Sequence, residues 1–374
     1  VRILQVNSIL DGGGVDSQTL ELSAGLAELG HRLLIATRSD ARWLPLARAI
    51  PGVDVVTAQG SKPAWVRHLR RIATAFRADI VHAHHGRDTW TSVLGARLSA
   101  ARPRVVITRH LMNPLSAGSA ALQLRVAHVT AVSKAVYDGL DRQMRGPRSH
   151  LHLIYGGIDT GRFRPDPELR RAARESLGLS DDAIVFAVIG SYHAPRGKGQ
   201  GVFLEAAARV APRFPQARFL IVGHGELGSA LQAQIGSLGL DGAARMLPFA
   251  NDVERICAAL DVLVHPAVGH EALGLVLWEA MASGRPVIGS ALDGIPETFV
   301  AGEQGLLVAP DDTVALAAAM AELAGDADRR ARMGAAARRH VVENGYTRAG
   351  HARRMAALYE KICAESPLWE PARP

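Results

Sequence analysis

Two carboxylates with seven residues between them, Glu271 and Glu279, lie in the stretch from His270 to Gly284, directly after the apolar run Val262-Leu-Val-His-Pro266. A helix beginning near Gly274 would aim its first backbone N–H groups at whatever the preceding loop holds. Such a terminus suits a pyrophosphate, and a carboxylate accepts hydrogen bonds from vicinal hydroxyls, so one glutamate could hold a ribose and the other a transferred sugar. The same letters also describe a helix with an acid near its positive end and a later, solvated glutamate. Spacing alone leaves both readings open. Upstream, Gly190-Ser191-Tyr-His-Ala-Pro195-Arg196-Gly197-Lys198-Gly199 joins a strand to a helix with flexible backbone and two cations. It lacks the spacing of an ATP-hydrolysing loop, but Arg196 and Lys198 could offset the charge growing on a departing nucleoside diphosphate. The alternative is a solvated basic turn.

A second glycine loop, Asp11-Gly12-Gly13-Gly14-Val15-Asp16-Ser17, follows the first apolar strand and opens a helix. Small residues there let backbone approach a ligand. As a dinucleotide fingerprint it has Ser17 at the third glycine position, with Arg38 and Asp40 ending the next strand, so an NADP site is a minor alternative. Histidines gather at strand ends as His82, His84 and His85, and as Arg109-His110. Only 82 and 84 share a strand face, and no carboxylate or cysteine companion stands nearby, so substrate contact and a structural role compete, with metal binding the weaker reading. Asp326-Ala-Asp328 sits in a polar turn and reads as a helix cap.

These loops need a frame that places them at the carboxyl ends of strands. Strands are expected at Ile3–Val6, Arg32–Ala36, Val53–Val56, Ile80–His84, Val105–Thr108 and Val129–Val132, with helices at Ser17–Leu29, Thr89–Leu98 and Lys134–Arg142 between some of them. A turn-rich stretch from Tyr155 to Pro167 interrupts the alternation. A second series then runs through strands Ile184–Ile189, Arg218–Val222, Val262–His265, Pro286–Ile288 and Gly305–Val308, with helices Val202–Val210, Asp252–Leu260 and Leu275–Ala282. The stretch from 327 to 365 is helical and rich in arginine. The expectation is α/β, with two Rossmann-like doubly wound domains at 1–162 and 163–345 and a terminal helix, 346–374, crossing back to the first.

A chain of 374 residues, 48% hydrophobic and 21% charged, has room for two folded cores and no tract suggesting disorder. Two cysteines, Cys257 and Cys363, are too few for a disulfide scaffold or a zinc site. With a first segment that reads as a buried strand and no apolar run of spanning length, a cytoplasmic location is expected. The charge is uneven: residues 1–165 hold 22 Lys and Arg against 11 Asp and Glu, while the rest hold 21 against 25. Lys62 to Arg77 mixes Arg67, Arg70 and Arg71 with Trp65, Leu69 and Phe76 at helical spacing. That segment reads as a solvated arginine face or as a peripheral contact with anionic lipid at the inner face of the plasma membrane. Nucleic acid is the weakest candidate partner.

Assembled, these pieces resemble glycosyltransferase family 4, retaining enzymes of the two-domain GT-B fold. The likeness runs from Gly13-Gly14-Val15-Asp16 through Ala131-Val132-Ser133 and Tyr155-Gly156-Gly157-Ile158-Asp159, with Phe163 and Pro165, to Glu271 and Glu279. Ala-Met-Ala-Ser-Gly-Arg-Pro286-Val and Gly294-Ile-Pro296-Glu297 follow. It implies two domains facing each other across a cleft that holds the site. Lys198 and Arg196 would bind the donor diphosphate, Glu279 the ribose, and Glu271 with Ala272, Leu273, Gly274 and Leu275 the sugar and phosphates. His110 would lie near the sugar and Gly13 and Gly14 beside the donor, while Phe249 and Ala250 would frame the base. His110, Glu271 and Lys198 are the expected catalytic residues, and Asp16, His85 and Arg109 the expected acceptor contacts. Three positions depart from the family pattern: Ser191 stands where arginine is frequent, Ala272-Leu273 where Gly-Phe or Pro-Phe is usual, and Asp16 where glutamate is frequent.

The resemblance thus implies a glycosyltransferase that needs no metal and no cofactor beyond its nucleotide-diphosphate sugar. It would move that sugar with retained configuration to a hydroxyl acceptor. The basic first half favours a phosphorylated or lipid-linked acceptor, such as a lipopolysaccharide-core-like or other cell-envelope glycan, with a soluble small molecule as the alternative. The rivals are a GT-B epimerase or phosphorylase and a nucleotide-sugar-binding protein without turnover.

Overall fold

Short apolar runs bounded by turn residues become parallel strands, because crossover helices cover both faces of each sheet. The computed structural model describes residues 1–249, 251–365 and 368, and the chain divides into two units, Val1–Gly157 with the chain from Gly345 on, and Ile158–Asn344. In the first unit, β1 (Arg2–Val6), β2 (Arg32–Arg38), β3 (Val53–Ala58), β4 (Ile80–Ala83), β5 (Arg104–Arg109), β6 (His128–Ala131) and β7 (Leu151–Leu153) form a seven-stranded sheet. Its order is β3-β2-β1-β4-β5-β6-β7. In the second, β8 (Ile184–Ile189), β9 (Ala217–Val222), β10 (Ala244–Leu247), β11 (Val262–His265), β12 (Val287–Ser290) and β13 (Gly305–Val308) form a six-stranded sheet. Its order, β10-β9-β8-β11-β12-β13, repeats the same scheme.

In both sheets the strand order reverses beside the first strand, between β1 and β4 and between β8 and β11. Loops leaving the carboxyl ends of such a pair diverge to opposite faces and open a crevice, the usual ligand position in open α/β sheets. The glycine loop after β1 and the His84-His85 segment after β4 leave one such point. The Lys198 loop after β8 and the Glu271 loop after β11 leave the other.

Each unit has its own core. In the second, Phe186, Phe219 and Phe203 are fully buried, with ring centroids 5.9 and 6.0 Å apart in succession. The first unit's core includes Ala352, Met355, Tyr359 and Ile362 from the last helix, Arg348–Cys363. That helix lies against the first one, Gly14–Glu28, so closely that a Cβ on Gly25 would fall 2.8 Å from the Ala352 Cβ. Arg348 fastens the pair, its Nε 2.6 Å from Glu21 and its Nη1 3.1 Å from Glu28.

The helical stretch expected from 327 to 365 is two helices, Ala327–Glu343 and Arg348–Cys363. The chain turns at Gly345, with φ 66°, and Thr347 caps the second helix by accepting from the Gly350 N–H. Asp326 caps the first, accepting from the Arg329 N–H at 2.7 Å. Strands β7 and β10, which no pattern announced, are outermost strands of three and four residues, β10 half-exposed along its length. An outer strand that packs little needs little apolar periodicity.

Candidate functional site

In the second unit, β8 delivers the loop to Lys198 and β11 delivers the loop to Glu271. Gln200, the first residue of the helix Gln200–Val210, braces the first loop, its Oε1 accepting from the Lys198 N–H at 2.8 Å and its Nε2 donating to the Gly190 carbonyl at 3.2 Å. The Lys198 Nζ then lies 2.8 Å from Glu271 Oε2. His265, the last residue of β11, places Nε2 3.0 Å from the same oxygen. Asp293 fixes the loop from beyond β12, accepting from the Glu271 N–H at 3.1 Å and pairing with His270 at 3.0 Å.

Burial by itself raises the Glu271 pKa, but the His265 hydrogen bond and the charges of His265 and Lys198 outweigh it and hold the carboxyl well below the usual range. The site therefore carries an ionised glutamate at any physiological pH. The helix Leu275–Ala282 starts after Gly274, whose φ is 84°, with no side-chain cap and no acid in its first turn. Glu271 thus precedes the helix and is turned to Lys198 and His265 instead of capping it. Ala272, Leu273 and Gly274 are buried and Leu275 half-buried, so this stretch presents backbone more than side chain. Glu279 is half-buried on the same helix. Burial first, then the charge of Glu279, raise the Cys257 thiol pKa.

Not every expected donor residue joins this cluster. The Arg196 guanidinium pairs with Asp311 at 2.7 Å on the surface. Phe249 meets His224 edge to face, centroids 5.2 Å apart at 87°, beyond the ends of β9 and β10. Ala250 lies outside the described residues.

In the first unit Asp16 is the hub. It is buried on the helix Gly14–Glu28 and accepts from the Gly12 N–H at 2.8 Å, from Asn7 Nδ2 at 2.8 Å and from His85 Nε2 at 3.0 Å. Burial raises its pKa, but these bonds, His85 first, bring it below the ordinary value. Gly13, at φ 110°, and Gly14 are exposed at the mouth of this loop.

His110 is the last of a chain in which His84 Nε2 meets Gln5 Oε1 at 2.7 Å and His84 Nδ1 meets His110 Nε2 at 3.4 Å. Burial first, then the charges of His85 and His351, push the His110 pKa down to about 3, so the imidazole is neutral. Arg109 donates to the Asn113 carbonyl at 3.1 Å, and burial lowers its pKa. His82 is sealed in the core between Tyr359 and Thr108. Among the described residues no group of three or more His, Cys, Asp or Glu is arranged to hold a metal ion. Arg38 and Asp40 pair with each other on the surface.

Sequence reasoning missed His265, Asp293 and Asn7. The signal for His265 was a polar residue ending an otherwise apolar strand, and for Asp293 an acid directly before the Gly294-Ile-Pro296 turn.

A family model described as Glycosyltransferase Family 4 matches residues 12–162, and one described as Glycosyl transferases group 1 matches residues 183–326. The chain is 32% identical over 333 residues to a phosphatidyl-myo-inositol mannosyltransferase of Mycolicibacterium smegmatis, covering 85% of this chain and 83% of that protein. It is 29% identical over 401 residues to a D-inositol 3-phosphate glycosyltransferase of Thermobispora bispora, covering 93% and 90%. Among solved structures, that of Anabaena Alr3699/HepE in complex with UDP and glucose superposes with a TM-score of 0.83 at 23% identity, covering 96% of this chain and 99% of that one.

Proposed function

The chain belongs to glycosyltransferase family 4 and is a glycosyltransferase of the GT-B fold, and from that premise we propose that it moves a sugar from a nucleoside-diphosphate donor to a phosphorylated, lipid-linked polyol acceptor with retention of configuration. The observation that carries the donor half is the convergence of Lys198 and Glu271 at the carboxyl ends of β8 and β11, where the strand order reverses. A cation beside an uncapped helix start suits a diphosphate, and an ionised carboxylate suits sugar hydroxyls.

In this reading the bond from the anomeric carbon to the diphosphate oxygen breaks as charge builds on the leaving group, which Lys198 and the N–H groups following Gly274 stabilise. Glu271 holds the sugar and Glu279 the ribose. The acceptor hydroxyl attacks from the side the diphosphate leaves, and its proton passes to the leaving phosphate oxygen. His110, being neutral, offers a hydrogen bond and no charge. No cofactor beyond the donor enters.

The acceptor half rests on chemistry and likeness together. The first 165 residues carry a surplus of 11 positive charges, which favours a phosphorylated acceptor. Both curated relatives carry an inositol bearing phosphate in their names. No helix among the described residues is long and apolar enough to cross a membrane. A lipid-linked acceptor would then be met by peripheral contact at the inner face of the plasma membrane, through the basic helix Lys62–Phe76.

The test is a thermal-shift screen with UDP, GDP and ADP and their glucose and mannose derivatives, since a ligand that binds the folded chain raises its melting temperature. The stabilising donor is then incubated with phosphatidylinositol vesicles and with soluble inositol phosphate, and products are read by mass spectrometry. A glycosylated inositol product is expected. Epimerised or free sugar without acceptor product, or binding without turnover, would replace this reading with one of its rivals.

A further inference from the structure

We infer that His265 is a positioning residue that holds the Glu271 carboxylate in place when Lys198 turns from it to the donor's diphosphate. The inference rests on the donor reading above.

His265 Nε2 and Lys198 Nζ both bond Glu271 Oε2, at 3.0 and 2.8 Å. Among the described residues nothing donates to Oε1, which is the oxygen left for a sugar hydroxyl. The two donors differ in freedom. Lys198 is a point charge on a flexible stem, about a third exposed, and an arriving diphosphate offers it more negative charge than one carboxylate does. His265 has a side chain 2% exposed and is locked by the register of β11 against β12, where it pairs with Gly289. It has no route to the diphosphate. Once the ammonium swings away, His265 is the remaining side-chain donor fixing which way Glu271 points.

A carboxylate only accepts, so Nε2 is the donor, and Nδ1 is buried with no partner among the described residues. Such an orphan is unfavourable. The residues before it on β11, Val262, Leu263 and Val264, are wholly buried and apolar. A leucine would continue the strand without an orphaned nitrogen. What histidine adds at this position is the Nε2–H bond to Glu271.

The experiment compares the full chain with His265→Leu and His265→Gln, whose amide N–H can reach the carboxylate. Binding of GDP, GDP-mannose, UDP and UDP-glucose is measured by calorimetry, and kcat and KM are measured with the pair that turns over. The leucine variant should bind the nucleoside diphosphate within about twofold of the wild type while losing about tenfold of the added affinity for the sugar form. Its kcat should fall by at least about tenfold, and glutamine should recover most of that loss.

Wild-type kcat in a folded His265→Leu variant overturns the inference. So does an equal loss of affinity for both ligand forms, a folded glutamine variant that rescues nothing, or failure of both variants to fold, which would make the histidine structural. Glu271→Gln in the same assay separates the levels. Normal turnover there removes the sugar-binding role of Glu271 itself, whereas an inactive Glu271→Gln beside a fully active His265→Leu removes only the role of His265.

Discussion

Gly199 and Pro266 touch through their backbones: a Cβ on Gly199 would lie 1.8 Å from the Pro266 carbonyl oxygen. Gly199 closes the loop that carries Lys198, and Pro266 opens the loop that carries Glu271. The contact joins the two loops at their roots and so sets the span that the ammonium and carboxylate bridge. Gly199 also has φ 84°, a conformation that side chains resist. Gly199→Ala should therefore cost at least about 2 kcal/mol in stability and weaken nucleotide-sugar binding by about tenfold or more. Gly178→Ala is the control. Its φ is 61° but nothing lies within 4 Å of the new Cβ, so it should cost about 1 kcal/mol and leave binding alone. Melting curves and donor titrations of the two variants decide; equal behaviour would mean that the loop contact does not matter.

Asp16 ties the first glycine loop to its sheet through Gly12, Asn7 and His85. A carboxyl whose folded pKa lies below its unfolded value stabilises the fold above the unfolded pKa, and that contribution is lost as pH falls through the folded one. Asp16→Asn should cost about 2 kcal/mol near neutrality, because an amide cannot accept all three bonds. The gap between variant and wild type should close below about pH 4. Denaturation of both proteins at pH 7 and pH 3.5 checks the sign, and a gap that widens in acid contradicts it.

The buried and half-buried histidines of the first unit predict acid lability. Burial leads the causes that lower the pKa values of His110, His128 and His351 to about 3 and of His152 to about 4. His82 and His84 are lowered as well. The unfolded chain protonates such residues near pH 6.5 while the folded chain does not, so stability is full above that pH and falls below it. Each histidine adds about 1.4 kcal/mol of loss per pH unit. Urea unfolding followed from pH 7.5 to pH 5 should show uptake of several protons, and His351→Gln should lower the number by about one. A flat profile would mean that these rings are already protonated in the fold.

Legibility in the sequence followed burial. Strands β8 and β11 stood out because both faces are covered and their residues are apolar almost without break. Half-exposed β10 carried no such mark. Lys198 and Glu271 were recognisable by type and by the loops around them. Their surroundings were not: a histidine ending an apolar strand looks like core, and Asp311, which takes the Arg196 guanidinium, is 115 residues away. Residue types suggest what chemistry is available, while pairings made by strand order and distant loops decide which side chains are turned to it.

The basic helix Lys62–Phe76 buries Trp65, Leu69 and Ala73 and leaves Arg67, Arg70 and Arg71 exposed, with no ion pair among the described residues. The helix Thr89–Arg97 packs against it so tightly that a Cβ on Gly95 would fall 2.8 Å from the Leu69 Cβ, and it exposes Leu94, with Leu98 exposed just beyond it. Each arginine near an anionic leaflet contributes about 1 kcal/mol, and salt screens it. Converting Arg67, Arg70 and Arg71 to Glu should abolish sedimentation with phosphatidylglycerol vesicles and leave transfer to a soluble acceptor unchanged. Equal sedimentation of wild type and variant would show that the arginines face only water.

Lys198 and Glu271 share one hydrogen bond, yet their removal should have different consequences. With Lys198→Ala the carboxylate keeps its bond to His265, so Glu271 stays ionised and oriented, but nothing on that side chain meets the charge growing on the leaving diphosphate. Transfer should slow by about a hundredfold or more in kcat/KM, with affinity lost for the nucleoside diphosphate and retained for the uncharged nucleoside. Lys198→Arg restores the charge with a planar fork in place of a point cation, so recovery should be partial. Glu271→Gln should instead keep nucleoside diphosphate affinity and lose the preference for the sugar-bearing form. Calorimetry with nucleoside, diphosphate and nucleotide sugar tells the two signatures apart, and wild-type turnover by Lys198→Ala would leave the second unit without its proposed grip on the donor.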